Sequence, residues 1–127
     1  MNSFLLVAAG GAIGASLRHG AGLLSARHLP ANWPWATFSV NLLGGFAMGL
    51  AAGWFALKAA EGGHGLRLFL ATGVLGGFTT FSAFSLETLN MLRSGEAAKA
   101  AAYAALSVVL SVAALGLGLW IAKRAFA

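Results

Sequence analysis

The segment on which the fold turns reads Gly73-Val74-Leu75-Gly76-Gly77-Phe78-Thr79-Thr80-Phe81-Ser82-Ala83-Phe84-Ser85. It sits inside an uncharged run from Leu68 to Leu86, which approaches the roughly 20 apolar residues a helix needs to cross a bilayer. Its centre is nevertheless poor helix. Each interior glycine costs about 1 kcal/mol relative to alanine, and the adjacent pair Gly76-Gly77 is followed by two β-branched threonines. Two readings fit. In one, the helix breaks near Gly76–Thr80, close to the midplane, where unwound backbone is tolerated only if it is buried in protein or lines a polar cavity. The freed carbonyls then need partners, and a cation is one. In the other, Gly-Gly marks a close crossing of two helices. A phosphate-binding loop is excluded, since no Gly-Lys-Ser/Thr follows.

Three more uncharged runs flank this one: Met1–Leu17, Ala31–Leu57 and Ala100–Ala122. The chain has 127 residues, 59% hydrophobic and 9% charged, against about 25% charged in soluble domains. The composition predicts an all-α integral membrane protein, residues 1–127 forming one domain of four spans near 3–27, 33–58, 66–92 and 98–123. Nothing basic precedes Phe4, so the first span reads as a retained helix rather than a signal peptide. There is no Asp and no Cys, which excludes Ser-His-Asp triads, most carboxylate-pair hydrolases, thiolate metal sites and disulfides. The three histidines lack metal-ligand spacing and are expected at interfaces or in loops; nothing here points to an enzyme.

The connections are short. Pro30 and Pro34 bracket the first turn, with Trp33 and Trp35 suited to an interfacial aromatic belt. Glu61-Gly62-Gly63-His64-Gly65 makes the second, and Ser94-Gly95-Glu96 the third, with Ser94 predicted to N-cap the last helix. The net charge of +5 does not indicate nucleic acid, because the basic residues stand singly or in pairs at span ends, where they anchor helices in lipid headgroups. Lys58, Arg67, Lys123 and Arg124 fall on one side, and Arg18 (if it snorkels outward), Arg27, Arg93 and Lys99 on the other. Four against four leaves no preferred orientation. Both insertions are expected, and oppositely inserted copies can pair about an axis in the membrane plane, as inverted repeats do in transporters.

Gly45, Gly49 and Gly53 on the second span, and Gly10, Gly14 and Gly22 on the first, form small-residue ridges for close helix packing. Thr37 and Asn41 lie one turn apart on the second span. Tyr103, Ser107 and Ser111 recur every four residues and share a face of the fourth. Hydroxyls can bond back to their own helix, so each alone is unremarkable; together with an amide, which is costly to bury unpaired, they also fit a polar path. Glu87 either snorkels or hydrogen-bonds at a pore mouth.

Gly10-Gly11-Ala12-Ile13-Gly14-Ala15-Ser16-Leu17-Arg18, Thr37-Phe38-Ser39-Val40-Asn41-Leu42-Leu43-Gly44 and the segment Gly73–Ser85 resemble the signatures of the Fluc/CrcB fluoride channels, in order and across all four spans. Tyr103, Ser107 and Ser111 match that family's polar track; His19 stands where a tyrosine is frequent. The resemblance implies an antiparallel, dual-topology homodimer of four-helix subunits with two pores, in a bacterial inner membrane, exporting fluoride passively. It assigns the pore to Thr37, Asn41, Thr80, Phe81, Ser82, Phe84, Glu87, Tyr103, Ser107 and Ser111. It assigns a central structural sodium ion to the carbonyls of Gly76 and Thr79 from each subunit, and leaves Arg18 a vestibule or structural role. A proton-coupled multidrug antiporter of similar size would carry an acid in its first span, and this chain has none there.

Orientation is open to direct test. Site-specific labelling should find both insertions of the unmodified chain. Two lysines added to the second loop should impose one orientation and abolish function until an oppositely biased copy is co-expressed. A single orientation for the unmodified chain would contradict the charge argument.

Overall fold

The computed structural model describes residues 2–58 and 63–127. Helix α1 spans Ser3–His28 and α2 spans Trp35–Lys58. A third span begins with α3 (His64–Arg67), continues as a π-helical stretch (Leu68–Leu75) and ends its first half in α4 (Gly76–Phe78). After Thr79 and Thr80 it resumes as α5 (Phe81–Arg93), and α6 (Ala97–Phe126) completes the chain. Among the described residues, four helices are long and apolar enough to cross a membrane: Ser3–His28, Trp35–Lys58, His64–Arg93 and Ala97–Phe126. The described residues are all-helical, as in a multi-pass membrane protein, and these four helices end within three residues of the spans read from hydropathy.

Glycine sets the packing. A Cβ on Gly10 would meet the backbone oxygen of Phe69 and, at 2.9 Å, the amide nitrogen of Val74. One on Gly14 would meet the oxygen of Val74 and, at 2.8 Å, the nitrogen of Phe78. Helix α1 therefore lies directly over backbone of the third span, and the wider π turn puts Phe69, Val74 and Phe78 in line beneath it. The π register is visible in the Gly76 amide, which donates to the Ala71 carbonyl five residues back. Helix α2 meets α6 the same way. Gly49 faces the oxygen of Leu115, Gly118 faces that of Phe46, and a Cβ on Gly45 would lie 2.8 Å from the oxygen of Ser111. Gly22, expected on the first ridge, faces open space, because α1 has by then passed the third span's break.

The third span does unwind within the expected Gly76–Thr80 window, at its threonine end. Thr79 (φ −83°, ψ 158°) and Thr80 (φ −152°, ψ 120°) are extended, whereas Gly76 and Gly77 remain helical. A Cβ on Gly77 would sit 2.7 Å from the oxygen of Gly11, so the pair serves the helix crossing and the threonines make the break. Both readings of the segment hold, at different residues.

Two local expectations are corrected. Ser94 does not cap α6: its hydroxyl donates to the Asn90 carbonyl at 2.8 Å, and it closes α5, while Glu96 precedes α6 without a capping side chain. The chain turns at Gly95, whose φ of +79° suits glycine. Of the second turn, Glu61 and Gly62 lie outside the described residues, and His64 already begins α3.

The glycine contacts carry an expectation. Gly14→Ala and Gly49→Ala force a methyl onto carbonyl oxygen and should lower stability by about 1–3 kcal/mol each. Gly116→Ala, with nothing within 4 Å, should not. Thermal unfolding in detergent reads the difference, and equal midpoints for all three would contradict this packing.

Candidate functional site

The break leaves backbone groups without helical partners, and side chains from three elements replace them. Asn41, two turns into α2, donates from Nδ2 to the Thr80 carbonyl at 3.0 Å and accepts from the Thr80 amide at Oδ1 at 2.8 Å. A carboxamide carries a donor and an acceptor in the geometry of a peptide, so it docks on the unwound backbone as a neighbouring strand would. Thr80 Oγ1 accepts from the Ala83 amide at 3.1 Å and N-caps α5. Thr79 Oγ1 donates to the Leu75 carbonyl at 2.9 Å, closing α4. Gly44 faces the Thr79 methyl, where any side chain would push the break away from α2.

Arg18 does not snorkel outward. Its Nε donates to the Gly77 carbonyl at 3.1 Å, placing a cation at the carbonyl end of the broken helix. Two further carbonyls lose their donors. In a continuous helix the Thr80 and Ala83 amides would bond to Gly76 and Thr79; here they bond to Asn41 Oδ1 and Thr80 Oγ1. The oxygens of Gly76 and Thr79 are therefore left without their helical donors.

Beside the break is a groove of about 390 Å³, lined among others by Asn41, Thr80, Phe81, Phe84, Ser107 and Ser111. None of its lining residues is charged. Phe81 and Phe84 share a face of α5 with ring centroids 5.4 Å apart, and Phe81 is 77% exposed. The Ser107 and Ser111 hydroxyl oxygens are buried and take no hydrogen bond. This separates them from Ser16, Ser85 and Thr88, which donate back to the carbonyl four residues earlier; back-bonding does not explain the stripe on α6.

Tyr103 belongs to a second cluster at one end of the groove. Its hydroxyl donates to Glu87 Oε2 at 2.6 Å, and Thr37 Oγ1 donates to Glu87 Oε1 at 2.6 Å. Glu87 is thus held by two hydroxyls and does not snorkel. The Phe84 ring, 5.2 Å from that of Tyr103, links cluster and groove. Trp33 and Phe38 pack edge-on against one another, 5.8 Å apart, and Trp33 meets Tyr103 edge-on at 5.4 Å. Trp33 therefore braces the tyrosine as well as serving the aromatic belt. Of the residues singled out in the sequence, Ser82 stands apart: it is exposed and touches the site only through a 3.3 Å contact with Thr80 Oγ1. Sequence reasoning missed Gly44 and Met48 as groove residues, although their spacing from Asn41 on α2 marks the same face.

Comparison with known proteins gives a consistent result. Residues 5–119 match the family model described as "CrcB-like protein, Camphor Resistance (CrcB)". A protein of Hyphomonas neptunium named "Fluoride-specific ion channel FluC" is 68% identical over the whole of both chains. Proteins of the same name from a Caulobacter species and from Phenylobacterium zucineum are 51% identical (99% of this chain and 98% of the relative) and 50% identical (all of both). Their names describe ion channels rather than enzymes. With the matched residues 5–119 reaching into all four spans and containing the break in the third, this chain belongs to the CrcB family.

Proposed function

We propose that this protein is a fluoride-selective channel that exports fluoride passively from the cytoplasm across a bacterial inner membrane, working as an antiparallel homodimer with two pores. The observation that carries the reading is the pair of buried, unpartnered hydroxyls of Ser107 and Ser111 in an uncharged groove that also holds Asn41 and two phenylalanines. Hydroxyl and amide hydrogens are donors, which can take the place of water around an anion. Asn41 spends one Nδ2 hydrogen on Thr80 and retains the other. Aromatic rings are positive at the edge, so Phe81 and Phe84 edges turned toward the path add to the attraction without a full charge. A lysine or arginine at the centre would bind the anion tightly enough to slow its departure.

The exposure of Phe81 and the openness of its surroundings leave one wall of the path to be supplied by the second copy. With Arg18 engaged at the break, the basic residues at the span ends number four on one side and three on the other, a near balance that favours an antiparallel pair. The oxygens of Gly76 and Thr79, two from each subunit, would then hold a sodium ion at the two-fold axis, since backbone oxygens suit a hard cation. When bound, that ion supplies positive charge that ties the two broken helices together. Fluoride enters cells as neutral HF and is trapped as the anion at cytoplasmic pH. A membrane potential, negative inside, supplies about 2.3 kcal/mol per 100 mV for each charge moved, so a selective pore alone empties the cell.

Phe81→Ile and Phe84→Ile keep bulk but remove the positive ring edge. Each should reduce fluoride efflux from proteoliposomes at least about tenfold, with the dimer intact by cross-linking; near-normal efflux would show that the rings only pack. Asn41→Asp should abolish efflux, because a carboxylate repels fluoride and cannot donate to the Thr80 carbonyl. A dimer whose centre lacks a cation at good resolution would contradict the sodium assignment.

A further inference from the structure

A second cavity, of about 450 Å³, lies at the opposite end of α2 from Thr37 and Glu87, between Met48, Ala52 and Ala56 on α2 and His64 and Arg67 on α3. Met48 lines this cavity and the Asn41 groove alike. Asn41, Gly45, Met48, Ala52 and Ala56 are three or four residues apart and so form one stripe along α2. At 1.5 Å per residue that stripe runs about 22 Å, from the helix break to the end of the span. An anion leaving Ser111 away from Glu87 along this stripe would pass Met48, which stands between groove and cavity, and reach Arg67. The two ends of the path therefore differ in charge: a carboxylate held by two hydroxyls at one, a guanidinium and an imidazole at the other.

We propose that Arg67, with His64 beside it, forms an anion-collecting mouth for this path. The inference rests on the channel reading above and extends it to residues outside the motifs that carry the family resemblance. Guanidinium stays charged at every physiological pH. At the rim of a cleft with apolar walls, its field is focused and raises the local concentration of a small anion. The apolar floor would also accommodate the chain of an anionic lipid, but the place of Met48, lining both this cavity and the Asn41 groove, favours the ion path. Lys58, at the end of α2, does not line the cavity and serves as the control charge.

The test is initial fluoride efflux from neutral phosphatidylcholine vesicles, at ionic strengths set with an impermeant salt. Arg67→Gln should lower efflux about three- to tenfold at low ionic strength and flatten its salt dependence, within the range of electrostatic steering. Arg67→Lys should restore both, and Lys58→Gln should change neither. The chain has no cysteine, so Arg67→Cys gives a unique thiol. A cationic thiol reagent should raise efflux through that assembled variant and an anionic one should lower it. Equal rates and salt dependence for wild type and Arg67→Gln, or no difference between the two reagents, would overturn the proposal. So would a defect confined to vesicles containing anionic lipid, which would assign Arg67 to a headgroup. Absence of efflux from the unmodified protein would instead remove the channel reading itself.

Discussion

The structure depends on the pairing of the Asn41 carboxamide with the amide and carbonyl of Thr80. A membrane helix satisfies its backbone internally, and a break at mid-depth exposes groups that cost several kcal/mol each in hydrocarbon. Asn41 supplies a donor and an acceptor from a neighbouring helix, which makes the extended conformation at Thr79 and Thr80 tenable. Once it is in place, Thr80 Oγ1 is free to cap α5 and Arg18 meets the Gly77 carbonyl. Phe81 and Phe84 then lie on the groove rather than in a continuous helix wall. Gly44 belongs to the same device, because its missing side chain is what lets the break approach α2.

That scaffold leaves the groove without a charged lining residue, the Arg18 guanidinium being engaged at the Gly77 carbonyl. The groove has hydroxyls, one amide and aromatic edges, which individually attract an anion weakly. Fluoride is small and strongly hydrated, so a path that admits it must replace water at many points without any one of them becoming a trap. A row of neutral donors does this. Glu87, fixed between Thr37 and Tyr103, gives one end a negative charge whose two oxygens are already engaged by donors.

Much of this was legible in the sequence because it rests on local chemistry. Span lengths follow from uncharged runs, and the Gly-Gly-Phe-Thr-Thr segment announces a weak point. The exact residues of the break were not legible. They depend on α1, whose Gly11 approaches Gly77 closely enough to keep that turn helical and shift the break to the threonines. The π-helical stretch lies where Gly10 and Gly14 meet its backbone, a contact that its own residues do not reveal. Arg18 looked like a snorkelling anchor because its partner is 59 residues away. The α6 stripe could be read from spacing, but whether its hydroxyls bond back to their own helix is a question of side-chain rotamer, and only the structure separates Ser107 and Ser111 from Ser85.

The most direct measurement is ion efflux from proteoliposomes of the unmodified protein, loaded with fluoride or chloride and released by a potassium ionophore. The neutral-donor path should pass fluoride rapidly, only when the ionophore balances charge, and chloride at a rate indistinguishable from protein-free vesicles. Comparable chloride efflux, or fluoride release that needs no charge balance, would contradict it.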